Sequence, residues 1–265
     1  MPSLSIVIPA HNEQENIPST LRSIPLDRLR AVGVDAEVLV VDNASTDDTA
    51  RLAVEHGARV IAQPVLGYGN AYKAGFANSR GEVIATGDAD LTYPFEILPE
   101  ALALFQAEQL DFLSTNRLCD LRSDAMTRTH VWGNRLLSTI TRLLFDVPFR
   151  DSQSGMWVFR RDVWNQCRVL ASGMAFSQEL KIEAFRNGFR CAELPIDYRP
   201  RGGQAKLRTV RDGARNTFHL LAHRTRSPQQ TPPTHMLHLG QGRLGWQHPT
   251  LVPDLPREDP SESVA

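Results

Sequence analysis

The chain has 265 residues, of which 42% are hydrophobic and 22% are charged. These values are ordinary for a soluble globular protein, so they exclude wholesale disorder and a fibrous repeat. The length suits one large α/β domain, or at most two small domains. The 29 basic and 30 acidic residues give a formal net charge of −1, which argues against a dedicated nucleic-acid binder because such domains are usually basic.

The cysteines and the N-terminal segment bear on the cellular compartment. Cys119, Cys167 and Cys191 are odd in number and are spaced unlike a zinc site or a dense disulfide framework, so we expect reduced thiols in a cytoplasmic protein. The first ten residues have no basic leader before their apolar run, and no stretch approaches the ~18 apolar residues of a membrane span. We therefore expect neither a signal peptide nor a transmembrane helix, and membrane contact only at the protein surface.

Short β-branched runs alternate with helical patterns through the first half of the chain. The runs predict strands at Leu4–Ile8, Glu37–Val41, Arg59–Ala62, Glu82–Thr86 and Phe112–Thr115. Strands that alternate with helices in this way indicate an α/β fold, with a mainly parallel sheet and helices on both faces.

Two helix starts in this half carry capping signals. Asn12 is followed by Glu13, Gln14 and Glu15, and an acid-rich first turn after an asparagine predicts a helix start. Ser45 and Asp48 stand at capping-box spacing, which predicts a helix that begins there and stops at Gly57.

The second half continues the alternation and then changes composition. Its patterns predict a helix at Trp132–Phe145, a strand at Gly155–Phe159, a helix at Phe176–Asn187, a strand at Arg190–Tyr198 and a helix at Leu207–His223. Seven of the 17 prolines fall in the last 41 residues, which show no sustained periodicity. We therefore predict a folded domain at residues 1–224 and a disordered tail at residues 225–265.

Carboxylates follow two strands of the predicted sheet. Asp42 follows the second strand, and Asp88 and Asp90 follow the fourth. Ligands of open parallel sheets bind beyond the carboxyl ends of the strands, and residues i and i+2 of an extended chain point the same way. The pair Asp88 and Asp90 therefore predicts a site for Mg²⁺ or Mn²⁺, which take oxygen ligands and share them with phosphates. The alternative is that both aspartates only cap the helix that begins near Pro94.

A glycine-rich segment and an uneven charge distribution extend this hypothesis. Gly67–Gly75 matches neither a P-loop nor a dinucleotide fingerprint, so it predicts the start of a helix beside a nucleotide crevice. Residues 81–116 hold seven acids and no Lys or Arg, whereas residues 199–226 hold eight bases and one acid. These opposed charges suit a metal-bound diphosphate. A solvated helix face would explain the bases of the predicted helix, but not Arg201 and Lys206 on a glycine-rich loop.

In order along the chain, these motifs resemble family 2 glycosyltransferases, and most closely the dolichyl- or polyprenyl-phosphate mannose or glucose synthases. The resemblance covers residues 3–220 and is carried by Ile6–Glu13, Val41–Thr49, Gly67–Gly75, Asp88–Asp90, Asp151–Gly155, Glu193–Arg201 and Lys206–Leu207. It implies the GT-A fold and a divalent metal. It also implies transfer of a sugar, with inversion, from a UDP- or GDP-hexose.

The resemblance also implies roles for residues of the donor site. The base and ribose of the nucleotide would be held by Pro9, Ala10, Asn12, Glu13 and Asp42. Asp88 and Asp90 would form the Asp-x-Asp pair of the family, with Asp90 as the preferred direct metal ligand. Arg201 and Lys206 would belong to a mobile loop that closes over the diphosphate.

On the acceptor side, Arg117 matches a family arginine near the acceptor phosphate, and Asp151 takes the position that orients or activates the acceptor. Three positions depart from the family pattern. Thr92 replaces a glutamine of the metal shell, Ala205 replaces a serine of the loop, and His130 replaces an arginine. The last two weaken the case for a lipid-phosphate acceptor more than the case for a glycosyltransferase.

Two alternatives to a transferase with a polyprenyl-phosphate acceptor stay open. A soluble hydroxyl acceptor, such as a glycan or a small metabolite, would need a general base, for which Asp151 is the candidate. A sugar nucleotidyltransferase is disfavoured because it would carry a glycine-rich basic signature where this chain has Pro9–Glu13. With a lipid acceptor, the predicted helix Leu207–His223 is a candidate for contact with an anionic membrane, although ordinary packing of that helix on the domain is slightly favoured.

Overall fold

The computed structural model describes residues 3–119 and 125–202, together with the backbone of residues 237–238. The strands are β1 Leu4–Ala10, β2 Ala36–Asp42, β3 Arg59–Ala62, β4 Val83–Thr86, β5 Phe112–Asn116, β6 Trp157–Arg160, β7 Cys191–Pro195 and β8 Leu237–His238. The helices are α1 Ile17–Arg22, α2 Leu26–Ala31, α3 Thr49–Glu55, α4 Tyr68–Asn78, α5 Leu98–Ala107, α6 Arg128–Phe145, α7 Arg161–Gln166 and α8 Phe176–Arg186. A 3-10 turn at Phe95–Ile97 precedes α5.

The strands form one sheet in the order β3-β2-β1-β4-β6-β5-β7-β8. All neighbouring strands are parallel except at β6, which runs antiparallel to both β4 and β5. The predicted mainly parallel sheet is therefore confirmed. Because β6 runs the other way, the chain before β6 lies at the same edge as the carboxyl ends of β4 and β5.

Helices cover both faces of the sheet, because its central strands are apolar on both sides. Along β1, Ile6 and Ile8 pack into one hydrophobic cluster with residues of α1, α2 and α5, whereas Val7 packs into a second cluster with residues of α4, α7 and α8. Successive side chains of a strand point to opposite faces, so a continuous apolar run feeds two cores.

Helix α4 lies unusually close to the sheet. A Cβ atom on its Gly75 would stand 2.3 Å from Cγ1 of Val7 and 3.0 Å from Cγ2 of Val41. Only glycine permits this approach. The close contact holds α4 against the middle of β1 and β2, with its N-terminal residue Tyr68 directed toward the edge where both strands end.

Two helix starts predicted from the sequence are wrong. Helix α1 begins at Ile17 rather than directly after Asn12, which has a φ of 52°. Helix α3 begins at Thr49 and has no side-chain cap, and the Ser45 hydroxyl instead accepts a hydrogen bond from the Asn12 amide at 3.0 Å. Contacts between the two loops replace the local caps that the sequence indicates. The predicted stop at Gly57 is confirmed, with a φ of 82° there.

The second half follows the predicted order with adjusted boundaries. Helix α6 begins at Arg128, four residues before the predicted start, because Thr127 caps it by accepting a hydrogen bond from the His130 amide. The short helices α2 and α7 are additional to the predicted ones. The predicted helix Leu207–His223 lies outside the described residues. So does the tail at 225–265, apart from Leu237–His238, which pairs with β7.

None of the helices in the described ranges combines the length and the apolar character that crossing a bilayer requires.

Candidate active site

The ends of β1 and β2 are joined by hydrogen bonds between the segments that follow them. Asn12 and Glu13 donate their amides to the hydroxyls of Ser45 and Thr49 at 3.0 and 2.8 Å. In return, the side-chain oxygen of Asn12 accepts the Thr46 amide at 2.8 Å. The two loops therefore form one rigid rim at the edge of the sheet.

The predicted nucleotide-binding residues lie along this rim. Pro9 and Ala10 end β1, and Ala10 stands opposite Asp42 in the register of β1 and β2. Asp42 is half-buried and accepts the Ser45 amide at 3.2 Å through Oδ1. Glu13 is buried just beyond β1. The structure thus brings together the residues assigned to the base and ribose.

Asn43, which the sequence places at the same strand end as Asp42, has a structural role that was not predicted. Its side-chain amide donates to the carbonyls of Gln63 and Val65 at 3.1 and 2.9 Å, and its oxygen accepts the Gly67 amide at 2.8 Å. The available signal was its place directly after a strand-end aspartate. Asn43 ties the end of β2 to the segment that leads into α4.

Asp88 and Asp90 follow β4, and their two carboxylates lie close to each other. Oδ1 of Asp88 accepts the Tyr68 hydroxyl at 3.1 Å. Burial, together with the nearby charge of Asp90, raises the pKa of Asp88 to about 7. Oδ1 of Asp90 accepts both the amide and the hydroxyl of Thr92, at 3.2 and 2.6 Å. Thr92, one of the departures from the family pattern, therefore fixes the orientation of Asp90.

Neither aspartate caps the helix that follows, which answers the alternative raised from the sequence. The 3-10 turn begins after Pro94 and α5 begins after Ile97, both without a side-chain cap. The oxygens of Asp88 and Asp90 are engaged elsewhere, at the edge of the sheet.

Arg201 connects the ends of β1 and β4. Its Nη2 donates to Oε1 of Glu13 at 3.2 Å, and its Nε lies 3.4 Å from Oδ2 of Asp90. The next residue, Gly202, donates its amide to the Asp90 carbonyl at 3.0 Å and accepts the side-chain amide of Asn16 at 2.9 Å. The predicted meeting of a basic loop with an acidic strand end is therefore present at Arg201. Lys206 lies outside the described residues.

Arg117 and Asp151 form a buried ion pair. Nε and Nη2 of Arg117 donate to Oδ2 and Oδ1 of Asp151 at 2.8 and 2.9 Å. The carboxylate also accepts the amides of Arg117 and Gln153 at 3.0 and 3.2 Å. Burial alone would raise the pKa of Asp151, but the charge and hydrogen bonds of Arg117 hold it below its ordinary value.

Two further charged residues, to which sequence reasoning gave no role, contact Asp151. Nζ of Lys181 on α8 donates to the Asp151 carbonyl at 2.6 Å, and burial lowers the pKa of Lys181 to about 8. Glu193 on β7 accepts the Asp151 amide at 2.9 Å and the side-chain amide of Asn116 at 3.0 Å. For Glu193 the available signal was a charged residue in an otherwise apolar strand.

The Asp151–Gly155 turn and the Asp88–Asp90 pair are adjacent. A Cβ atom on Gly155 would stand 2.2 Å from the Tyr68 hydroxyl and 3.6 Å from Oδ1 of Asp88. The Gly155 amide also donates to the Tyr93 hydroxyl at 2.6 Å. The antiparallel direction of β6 explains this contact, since the turn precedes β6 and the start of β6 lies beside the carboxyl end of β4.

The donor set at Asp88 and Asp90 fits a divalent cation that is completed by a substrate. Among the described residues, no group of three or more His, Cys, Asp or Glu side chains forms a metal cage. Mg²⁺ and Mn²⁺ sites that act on phosphates commonly use one or two carboxylates, with the phosphates supplying further oxygens. Burial and the charge of Asp90 raise the pKa of Asp88, so a bound cation would stabilise its ionised form.

Comparison with known proteins agrees with the family resemblance of the sequence motifs. Residues 5–167 match the family described as "Glycosyl transferase family 2". The chain is 36% identical over 222 residues to the low-salt glycan biosynthesis hexosyltransferase Agl6 of Haloferax volcanii, a match that covers 83% of this chain and 53% of that protein. It is 34% identical over 211 residues to the dolichyl-phosphate hexose transferase of the same organism, covering 80% of this chain and 89% of that protein. The chain thus spans about half the length of the first relative and most of the second.

A solved structure establishes the fold. Glucosyl-3-phosphoglycerate synthase from Mycobacterium tuberculosis, crystallised with Mn²⁺, UDP and glucosyl-3-phosphoglycerate, superposes with a TM-score of 0.63 at 23% identity. The match covers 86% of this chain and 81% of that chain. The fold is GT-A, as the resemblance implied.

Proposed function

Because this chain belongs to glycosyltransferase family 2, we propose that it is a metal-dependent, inverting hexosyltransferase. Its donor is a nucleotide diphosphate hexose carrying UDP or GDP, and its acceptor is a polyprenyl phosphate of the dolichyl type. The enzyme would meet this acceptor as a peripheral protein at the cytoplasmic face of a membrane. The relative that is named a dolichyl-phosphate hexose transferase supports this choice of acceptor.

The state of Asp151 is the observation that carries the choice of acceptor. A hydroxyl acceptor needs a general base, whereas a phosphate acceptor is already ionised at neutral pH. Asp151 is fully buried, and both its oxygens accept hydrogen bonds from Arg117. A carboxylate with a lowered pKa and two occupied oxygens is a poor base. Arg117 also supports a phosphate acceptor, because a guanidinium group is well suited to bind a phosphate. Asp151 accepts hydrogen bonds from only two of the five N–H groups of the Arg117 guanidinium.

The donor side supports the departure of a diphosphate. Pro9, Ala10, Asn12, Glu13 and Asp42 would hold the base and ribose along the rim of β1 and β2. Asp88 and Asp90 would hold Mg²⁺ or Mn²⁺, which when bound supplies positive charge to the leaving diphosphate. Arg201 would supply a second positive charge there, and Lys206 would join it from the same loop. An acceptor oxygen that attacks from the opposite face inverts the anomeric centre.

A transfer assay with paired acceptors tests the proposal. The purified chain is incubated with Mn²⁺ and UDP- or GDP-hexoses, and with either a short-chain polyprenyl phosphate or the corresponding free alcohol. We expect a mass increase of one hexose on the phosphate alone, lost on chelation of the metal. Transfer to the alcohol would favour the hydroxyl-acceptor alternative. Failure of every nucleotide sugar to raise the melting temperature would contradict the donor assignment.

A further inference from the structure

Helix α6 exposes an apolar row that the proposed chemistry does not use. Trp132, Leu136 and Leu143 are 76%, 60% and 80% exposed. At 3.6 residues per turn, these three positions fall within an arc of roughly 40°. Large apolar side chains gathered on one exposed side of a helix indicate a surface that contacts something apolar.

A basic row lies beside the apolar one. Arg128, Arg135 and Arg142 recur every seven residues along the helix and are all exposed. No acidic residue occurs between positions 128 and 145, so no negative charge on the helix offsets these arginines. We call the two rows together the outer face of α6.

The opposite side of α6 adjoins the candidate acceptor site. Ser138, Thr141 and Phe145 are buried. The Ser138 hydroxyl accepts the amide of Ser152 at 3.0 Å, and Ser152 directly follows Asp151. One helix therefore contacts the acceptor site on its inner side and presents an apolar, basic surface on its outer side.

We propose that the outer face of α6 rests on an anionic membrane surface. Trp132, Leu136 and Leu143 enter the boundary between headgroups and acyl chains, and the arginines pair with lipid phosphates. The inference rests on the proposed polyprenyl-phosphate acceptor, whose chain would lie in that membrane. A second copy of the chain is a poorer occupant, because a two-fold contact would bring two rows of arginine together.

Vesicle binding by the full chain tests the inference. Vesicles are made of phosphatidylcholine alone, or of phosphatidylcholine and phosphatidylglycerol in equal parts. One variant combines Trp132→Gln, Leu136→Gln and Leu143→Gln, and a second combines Arg128→Gln, Arg135→Gln and Arg142→Gln. The control combines Val54→Gln and Arg30→Gln, which alter an apolar and a basic residue that are 60% and 78% exposed on other helices.

We expect the wild type and the control to bind the anionic vesicles at low salt and to dissociate as salt rises. The arginine variant should bind on the order of a hundredfold more weakly, since each arginine near an anionic surface contributes about a factor of five. The apolar variant should lose binding to a similar degree. Because all six side chains are exposed, melting temperatures should match that of the wild type.

Three results would overturn the inference. The wild type could fail to bind anionic vesicles, or both variants could bind as well as the control. Alternatively, sedimentation could show a wild-type dimer that the apolar variant converts to monomer without any change in vesicle binding, which would assign the face to a second copy. Transfer to a short-chain polyprenyl phosphate in solution is measured in parallel. Its absence would count against the proposed function, whereas transfer without vesicle binding would count against this inference alone.

Discussion

Two carboxylates at one edge of the sheet, Asp88 and Asp151, are in opposite electrostatic states. Asp88 lies beside a second carboxylate, and burial together with that charge raises its pKa to about 7. Asp151 is the more deeply buried of the two, but Arg117 lies against it and holds its pKa below the ordinary value. The two residues meet at Gly155, so their different states arise from their immediate partners and not from their depth.

The immediate partners of an aspartate at a strand end indicate whether its carboxylate can bind a cation. A carboxylate whose ionised form is disfavoured by burial and by a neighbouring carboxylate can gain from a cation, whereas the charge of one with both oxygens paired is already compensated. The donor side of this site is therefore suited to receive charge, and the acceptor side is already balanced. Four sets of variants can test this contrast.

Asp90→Asn should reduce hexose transfer by roughly a thousandfold, because it removes a carboxylate where the leaving diphosphate must be stabilised. The variant should also lose the rise in melting temperature that Mn²⁺ and a nucleotide sugar give the wild type together. Glu55→Gln, an exposed acid on α3, is the matched control. Full activity of the Asp90 variant would show that this side does not bind a metal.

Arg117→Met should lower the free energy of unfolding by about 3–5 kcal/mol, because it leaves the charge of Asp151 buried without its partner. Urea denaturation measures the change. The double variant Arg117→Met with Asp151→Asn should recover most of the loss, since no buried charge is then unpaired and the Asn side-chain oxygen can still accept a backbone amide. A cost below about 1 kcal/mol for the single variant would mean that the pair behaves like a surface ion pair.

Lys181→Met should remove part of the pH dependence of stability. Burial lowers the pKa of Lys181 from 10.5 to about 8, so between these values the unfolded chain binds more protons and the folded state gains stability as pH rises. Between about pH 7 and about pH 9.5 this gain amounts to about 2 kcal/mol in the wild type. Urea denaturation of both proteins at the two pH values should show it in the wild type only. Parallel pH curves would contradict the shift.

Gly155→Ala should cost about 1–3 kcal/mol, because the new methyl group would displace the Tyr68 hydroxyl from Asp88. Gly133→Ala on α6 is the control, since a Cβ there meets nothing within 4 Å and alanine favours a helix by up to about 1 kcal/mol. Thermal denaturation should lower the melting temperature of the first variant and leave or raise that of the second. Equal melting temperatures would mean that Tyr68 moves aside freely.

The parallel half of the sheet was predictable because its signal is local. Strand β3 matches its predicted bounds, and the other early strands differ by at most two residues at either end. The helix starts after Asn12 and at Ser45 were wrong because these residues bond to each other's loops, more than 30 positions apart, instead of to their own helices. The direction of β6 was equally hidden, since a short apolar strand looks the same in either orientation.

The site divides in the same way. The rule that ligands bind beyond strand ends located Asp42, Asp88 and Asp90, because it needs only the order of the strands. Lys181 and Glu193 were missed because their importance comes from Asp151, which lies 30 and 42 positions away in sequence. The metal and nucleotide roles of the strand-end residues stay predictions.

The antiparallel strand β6 also determines when the sheet can be assembled. Strands β1 to β3 pair only among themselves and with β4, so these four strands can form once the first 86 residues have been made. Strand β5 is synthesised next but has no neighbour until β6 inserts between it and β4. During synthesis, residues 112–116 therefore stay unpaired with β6 until residues 157–160 have been made, and the chain between them must bring β6 back to lie beside β5. Because the Asp151–Gly155 turn leads into β6, that turn reaches the site in the same step that joins β5 to β4.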